Sequence, residues 1–119
     1  MRIKELIEKL DLEVKSGAGR TDNVITGGYA SDLLSDVLAN SREGNIWITL
    51  QIHQNIAAVA SMKDLSGIIT VNGREPEAET IEKADREQIP ILVSKMPAFE
   101  LIGQLCALGI TGTKNEDSV

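Results

Sequence analysis

Three short apolar runs, Ile46-Trp47-Ile48-Thr49-Leu50, Gly67-Ile68-Ile69-Thr70-Val71 and Ile89-Pro90-Ile91-Leu92-Val93, alternate with stretches whose apolar residues return at helical spacing. The period of the apolar residues thus changes repeatedly along the chain, which is the pattern of alternating strands and helices packed in layers. The expectation is a single-domain three-layer α/β/α sandwich with a mostly parallel sheet of about five strands. A length of 119 residues suits one domain, and at that size a core can form without disulfide or metal staples. No repeat, low-complexity tract or interdomain linker interrupts it, so residues 1–110 read as one α/β domain and 111–119 as a flexible C-terminal tail.

Element by element, Ile3, Leu6, Ile7 and Leu10 share one face of a short helix. Leu12 and Val14 then alternate with Glu13 and Lys15 as a strand. Residues 16–23 are polar and glycine-bearing, a loop, and Val24 to Gly28 is a second extended segment. A helix from about Ser31, capped by Ser31 or Asp32, presents Leu33, Leu34, Val37 and Leu38 to the core. Strands at 46–50, 67–71 and 89–93 follow, with a helix opening near Asn55 whose alanines allow close packing. Pro76 is placed to begin another helix, with Ala78, Ile81 and Ala84 inward. The last helix starts near Pro97, carries Phe99, Ile102 and Leu105, and stops at Gly109.

Parallel strands joined by right-handed crossovers send every strand-to-helix turn to one edge of the sheet. Four loops should therefore converge: Thr26-Gly27-Gly28-Tyr29-Ala30-Ser31, Gln51 to Asn55, Asn72-Gly73-Arg74-Glu75-Pro76, and Ser94 to Pro97. Each precedes a helix, whose amino-terminal amides favour an anionic or polar ligand in the crevice outside the strand ends. The candidate ligand residues are Thr26, Gly27, Gly28, Tyr29, Asp32, His53, Asn55, Asn72, Gly73 and Arg74. Purely structural roles compete with ligand contact at these positions. The glycine pair also makes a tight turn, Arg74 can be paired or solvated among Glu75, Glu77 and Glu79, and a lone His53 is more often structural. Trp47, Phe99 and Cys106 read as core.

The excluded classes narrow the function. The chain has 12 basic and 18 acidic side chains, a net charge of −6, and no basic stripe interleaved with aromatics, so nucleic acid is not an expected partner. One cysteine and one histidine provide neither a zinc site nor an internal disulfide, and no metal or cofactor is expected. No apolar run approaches membrane-spanning length and the first residues do not read as a signal peptide, so a cytoplasmic protein is expected. The chain lacks a GxxxxGK[ST] loop and a GxSxG elbow. Gly17-Ala18-Gly19 gives half of a GxGxxG pattern before Asp22 replaces the third glycine. No catalytic residue is assigned, and no enzyme is expected.

The run Val24-Ile25-Thr26-Gly27-Gly28-Tyr29-Ala30-Ser31-Asp32-Leu33-Leu34-Ser35-Asp36-Val37, with Ile46-Trp47-Ile48-Thr49 and His53-Gln54-Asn55, resembles the DRTGG domain over about residues 11–110. Such domains look like the amino-terminal region of HPr kinase/phosphorylase. They also occur in phosphate acetyltransferases, in CBS-domain pyrophosphatases, and as short stand-alone proteins, some encoded beside iron-only hydrogenase genes. The segment aligned with the eponymous motif reads Gly73-Arg74-Glu75-Pro76 and departs from that string. The resemblance implies a non-catalytic regulatory or ligand-binding domain, and the four convergent helix openings at the C-terminal edge of the sheet suggest that it senses an adenine nucleotide or another small anion. The alternative it implies is a homodimeric interaction or assembly module, accessory to a hydrogenase or kinase system.

Overall fold

In the computed structural model, which describes residues 1–112, the chain opens with α1 (Ile3–Leu10), β1 (Glu13–Ser16) and a 3-10 turn (Ala18–Arg20). It continues through β2 (Gly27–Ala30), α2 (Leu34–Asn40), β3 (Asn45–Thr49), α3 (Asn55–Met62) and β4 (Gly67–Thr70). It ends with α4 (Ala78–Glu87), β5 (Ile91–Val93) and α5 (Ala98–Ala107). The strands lie in the order β1-β5-β4-β3-β2; β2 to β5 are parallel neighbours and β1 is antiparallel to β5. Each crossover steps to the adjacent strand in the same direction, so α2, α3 and α4 all fall on one face. The expected sandwich is therefore what forms.

Alternation along the strands builds the two cores. Ile46 and Ile48 of β3, Ile69 of β4 and Leu92 of β5 pack with Ile3 and Leu6 of α1 and Leu101 and Leu105 of α5. Trp47, Ile68 and Ile91 face the other way, against Val37, Ile56, Ala57, Ala60 and Ala84 of α2, α3 and α4. Trp47 is fully buried and its indole N–H donates to the Ser31 carbonyl at 2.8 Å. Burying an indole normally requires such a partner. The layers are unequal: among the described residues, α2, α3 and α4 cover one face, and α1 and α5 the other.

Several boundaries and faces differ from expectation. The second strand is Gly27–Ala30 rather than 24–28, because its register is set by Gly27 opposite Asn45 and Ala30 opposite Ile48. Val24 instead forms an isolated antiparallel bridge with Arg2. Helix α2 begins at Leu34, so Leu33 precedes it and is 64% exposed. Pro76 lies ahead of α4, whose N-cap is Glu77; Thr80 and Ala84 are its buried residues, while Ala78 is exposed. Phe99 sits in the first turn of α5 on its outer side and is 88% exposed, the buried pair being Leu101 and Leu105. Cys106 is exposed rather than core. Gly109 takes the expected left-handed conformation after α5. Of the segment read as a tail, Gly112 bridges to Gly28, whose N–H donates to the Thr111 carbonyl at 2.9 Å; the rest lies outside the described residues.

Candidate functional site

The carboxyl ends of β2, β3, β4 and β5 form one rim, continued in turn by Ser31-Asp32-Leu33, the 50–54 loop, the 71–77 loop and Ser94-Lys95-Met96-Pro97. Polar bonds tie the first two exits together. Asp32 Oδ1 accepts the Thr49 hydroxyl at 2.8 Å and the Leu50 N–H at 2.7 Å, and the Asp32 carbonyl accepts the Gln51 side-chain amide at 2.9 Å. The β4 and β5 exits are joined by backbone bonds from Asn72 N–H to the Met96 carbonyl (2.9 Å) and from Gly73 N–H to the Ser94 carbonyl (2.8 Å). Asn72 and Gly73 take left-handed backbone angles, φ 56° and 65°, to make that turn. Backbone bonds thus bridge the two exits there, and the Asn72, Gly73, Arg74 and Lys95 positions stay exposed.

The apolar end lies over β2 and β3. A cleft of about 210 Å³ is bounded by Ala30, Ile48, Val71 and Ala98, with Ser31, Asp32 and Thr49 also on its lining. A second cleft of about 230 Å³ shares Ala30 and Ile48 and continues along β2 past Gly28 to Ile102, Cys106 and Ile110. Together they make an apolar trough with a polar mouth, the composition of a small-ligand site. Small residues in β2 create it. With hydrogen at Gly28 and methyl at Ala30, the face of β2 turned toward α5 carries little side chain, and α5 does not reach over to fill the space.

Two unpaired cations lie at the other end of the rim, beside Glu75, which pairs with Lys15 at 2.9 Å, and Glu77, 3.0 Å from His53. The exposed Arg74 and Lys95 side chains make no hydrogen bond or ion pair with the described residues. The Ala98, Phe99 and Glu100 N–H groups at the start of α5 donate to no backbone carbonyl among the described residues, the first intrahelical bond being Leu101 N–H to Pro97 at 3.0 Å. Unpaired amides and free cations are what an anionic group requires. A larger concavity of about 610 Å³ lies at the opposite edge, but Glu43, Asp64 and Glu87 face only Arg20 around it. That charge balance repels anions.

The ten candidate residues are not brought together. Thr26 lies at the opposite edge, its hydroxyl donating to the Glu43 carbonyl at 2.7 Å, because β2 starts after it. Gly27 and Gly28 are extended strand residues rather than an exit turn, and neither has a positive φ. Tyr29 turns toward α2, where its hydroxyl donates to Asp36 at 2.8 Å. Burial, then that carboxylate, pushes the Tyr29 phenol above its usual value, while the hydroxyl and the Asn40 amide hold Asp36 below the usual carboxylate range. Asp32, His53, Asn55, Asn72, Gly73 and Arg74 do share the rim. His53 is exposed with Nδ1 3.0 Å from Glu77, and Asn55 is the exposed first residue of α3. Sequence reasoning puts Gln51 and Lys95 in the converging loops without singling them out, and it misses Thr49 and Ala98, since nothing in their local pattern marks them; only knowing where β2 ends brings Thr49 and Ala98 onto one cleft with Asp32. Among the described residues no group of His, Cys, Asp and Glu is placed to hold a metal ion.

Comparisons with protein families and with curated protein sequences find no match for this chain. Solved structures do match. The fold is similar to that of the CBS and DRTGG domains in the regulatory region of Clostridium perfringens pyrophosphatase, a structure complexed with its activator diadenosine tetraphosphate. The TM-score is 0.71 at 17% sequence identity, with 99% of this chain covered and 52% of the other. At that identity the likeness concerns the fold, and the chain spans about half the length of the structure it matches. That neighbour belongs to a regulatory region rather than a catalytic one. No helix among the described residues is long and apolar enough to cross a membrane.

Proposed function

We propose that this chain is a non-catalytic regulatory module that binds an adenine nucleotide along the exit rim of its sheet. The observation that carries the reading is the polarity gradient along that rim: an apolar cleft with a polar mouth over β2 and β3, and unpaired cations after β4 and β5. Two strand spacings separate the β2 and β4 ends, roughly 10 Å, which is the scale of a nucleoside laid across them. The ring would stack between Ala30, Ile48 and Ala98, while phosphate would meet Arg74, Lys95 and the first amides of α5. A nucleotide activator in the similar pyrophosphatase regulatory region supports the choice of ligand class.

Thermal melts with AMP, ATP and diadenosine tetraphosphate test it. A ligand at about 100 times its dissociation constant adds roughly 2.7 kcal/mol to the native state, which for a domain of this size raises Tm by about 10 °C. No shift with any of the three at millimolar concentration defeats the reading.

A further inference from the structure

Asp32 has one carboxylate oxygen committed and one open. Its Oδ1 takes both the Thr49 hydroxyl and the Leu50 N–H, at 2.8 and 2.7 Å, whereas Oδ2 accepts no hydrogen bond from the described residues. Two donors fill the lone pairs of Oδ1 and fix the plane of the group, and the Asp32 carbonyl is held as well by Gln51 at 2.9 Å. The open oxygen therefore belongs to a positioned acceptor at the mouth of the cleft walled by Ala30, Ile48, Val71 and Ala98.

Resting on the reading of that cleft as the seat of the base, we propose that Asp32 Oδ2 selects the base by accepting a hydrogen bond from the exocyclic 6-amino group of adenine. An ionised carboxylate only accepts. A ring that presents an amino group gains a charge-assisted bond, whereas Asp32 is exposed and a ring that presents no donor leaves its oxygen to water and gains no such bond.

The substitution Asp32→Asn separates this role from a structural one. The two donors on Oδ1 require an oxygen there, so the asparagine must place its NH2 where Oδ2 stood, turning the acceptor into a donor while keeping the loop bonds. Calorimetry would compare whichever of AMP and ATP binds wild type more tightly with the purine riboside phosphate of equal phosphate number, which lacks the amino group. Wild type should prefer the amino compound by about tenfold or more, the equivalent of a hydrogen bond to a charged group. In Asp32→Asn that preference should shrink at least threefold. A smaller reduction overturns the assignment, and so does equal binding of both compounds by wild type, a comparison that needs no variant to fold. Binding of neither AMP nor ATP by wild type overturns this assignment, and the reading of the site falls with it only if diadenosine tetraphosphate also leaves the melt unshifted.

Discussion

The substitution Gly28→Ala should stabilise the protein, although the glycine pair looks like the most functional feature of the chain. Gly28 is an extended residue of β2 without a positive φ. An added Cβ would meet Ile110 Cγ2 at 3.6 Å and Ile46 Cγ2 at 3.8 Å, ordinary van der Waals distances. Removing glycine's freedom from the unfolded chain is worth roughly 0.4–1 kcal/mol. A half-buried methyl adds about half of the ~0.8 kcal/mol of a fully buried methylene. The sum is about 1 kcal/mol, which raises Tm by roughly 3–6 °C. The control is Gly17→Ala. Gly17 has φ 64° and its Cβ would overlap the Ile89–Pro90 backbone at the start of β5, so about 3 kcal/mol or more should be lost. Melting curves of both variants by circular dichroism check the pair. A Gly28→Ala protein melting about 2 °C or more below wild type, against the rise expected from these terms, would refute the argument that packing room, rather than backbone conformation, decides the outcome.

Arg74→Ala and Lys95→Ala, both at exposed unpaired cations, should each weaken nucleotide binding by about five- to tenfold, roughly 1–1.4 kcal/mol, with Tm unchanged; calorimetry and melting together test this. Trp47→Phe should cost about 2–3 kcal/mol in urea unfolding, because the Ser31 carbonyl loses its donor and a void opens under α2. Asp36 is held below the usual carboxylate range by Tyr29 and then Asn40. The folded state thus binds fewer protons there than the unfolded one, so this stabilisation is present above the ordinary carboxylate pKa and disappears as pH falls through the lower folded value. Asp36→Asn should flatten that acid limb of a Tm-against-pH curve; an unchanged slope contradicts the assignment.

The fold is legible in the sequence because buried strands carry their own signature. Ile46 to Thr49 and Gly67 to Thr70 can be placed to within a residue, since a run of β-branched side chains buried on both faces fits a central strand and little else. The edge strand cannot. Gly27-Gly28-Tyr29-Ala30 has no β-branched side chain, and only pairing with β3 makes it a strand, so the apolar Val24-Ile25 pair draws the boundary three residues early. That one displacement carries Thr26 and Gly27 away from the site, leaves Gly28 on the wall of the second cleft rather than in an exit turn, and moves the exit itself to Ser31-Asp32-Leu33. Phe99 misleads for a related reason: helical spacing marks the relative phase of apolar residues, while which phase faces inward is set by Leu101 and Leu105 against the sheet.

The unequal layers bear on how such a chain can change. Because the crossover helices complete one side of the sheet, the side occupied by the first and last helices is roofed by segments outside the crossovers, and the gap above the edge strand depends on how far the final helix extends and how the chain turns beyond it. Residues Ile102, Cys106, Ile110 and Gly112 border that gap without contributing to any crossover. Its volume and chemistry can therefore be retuned by substitutions in the last described turns while the sheet stays as it is, so proteins of this architecture can differ in what they hold without differing in how they fold.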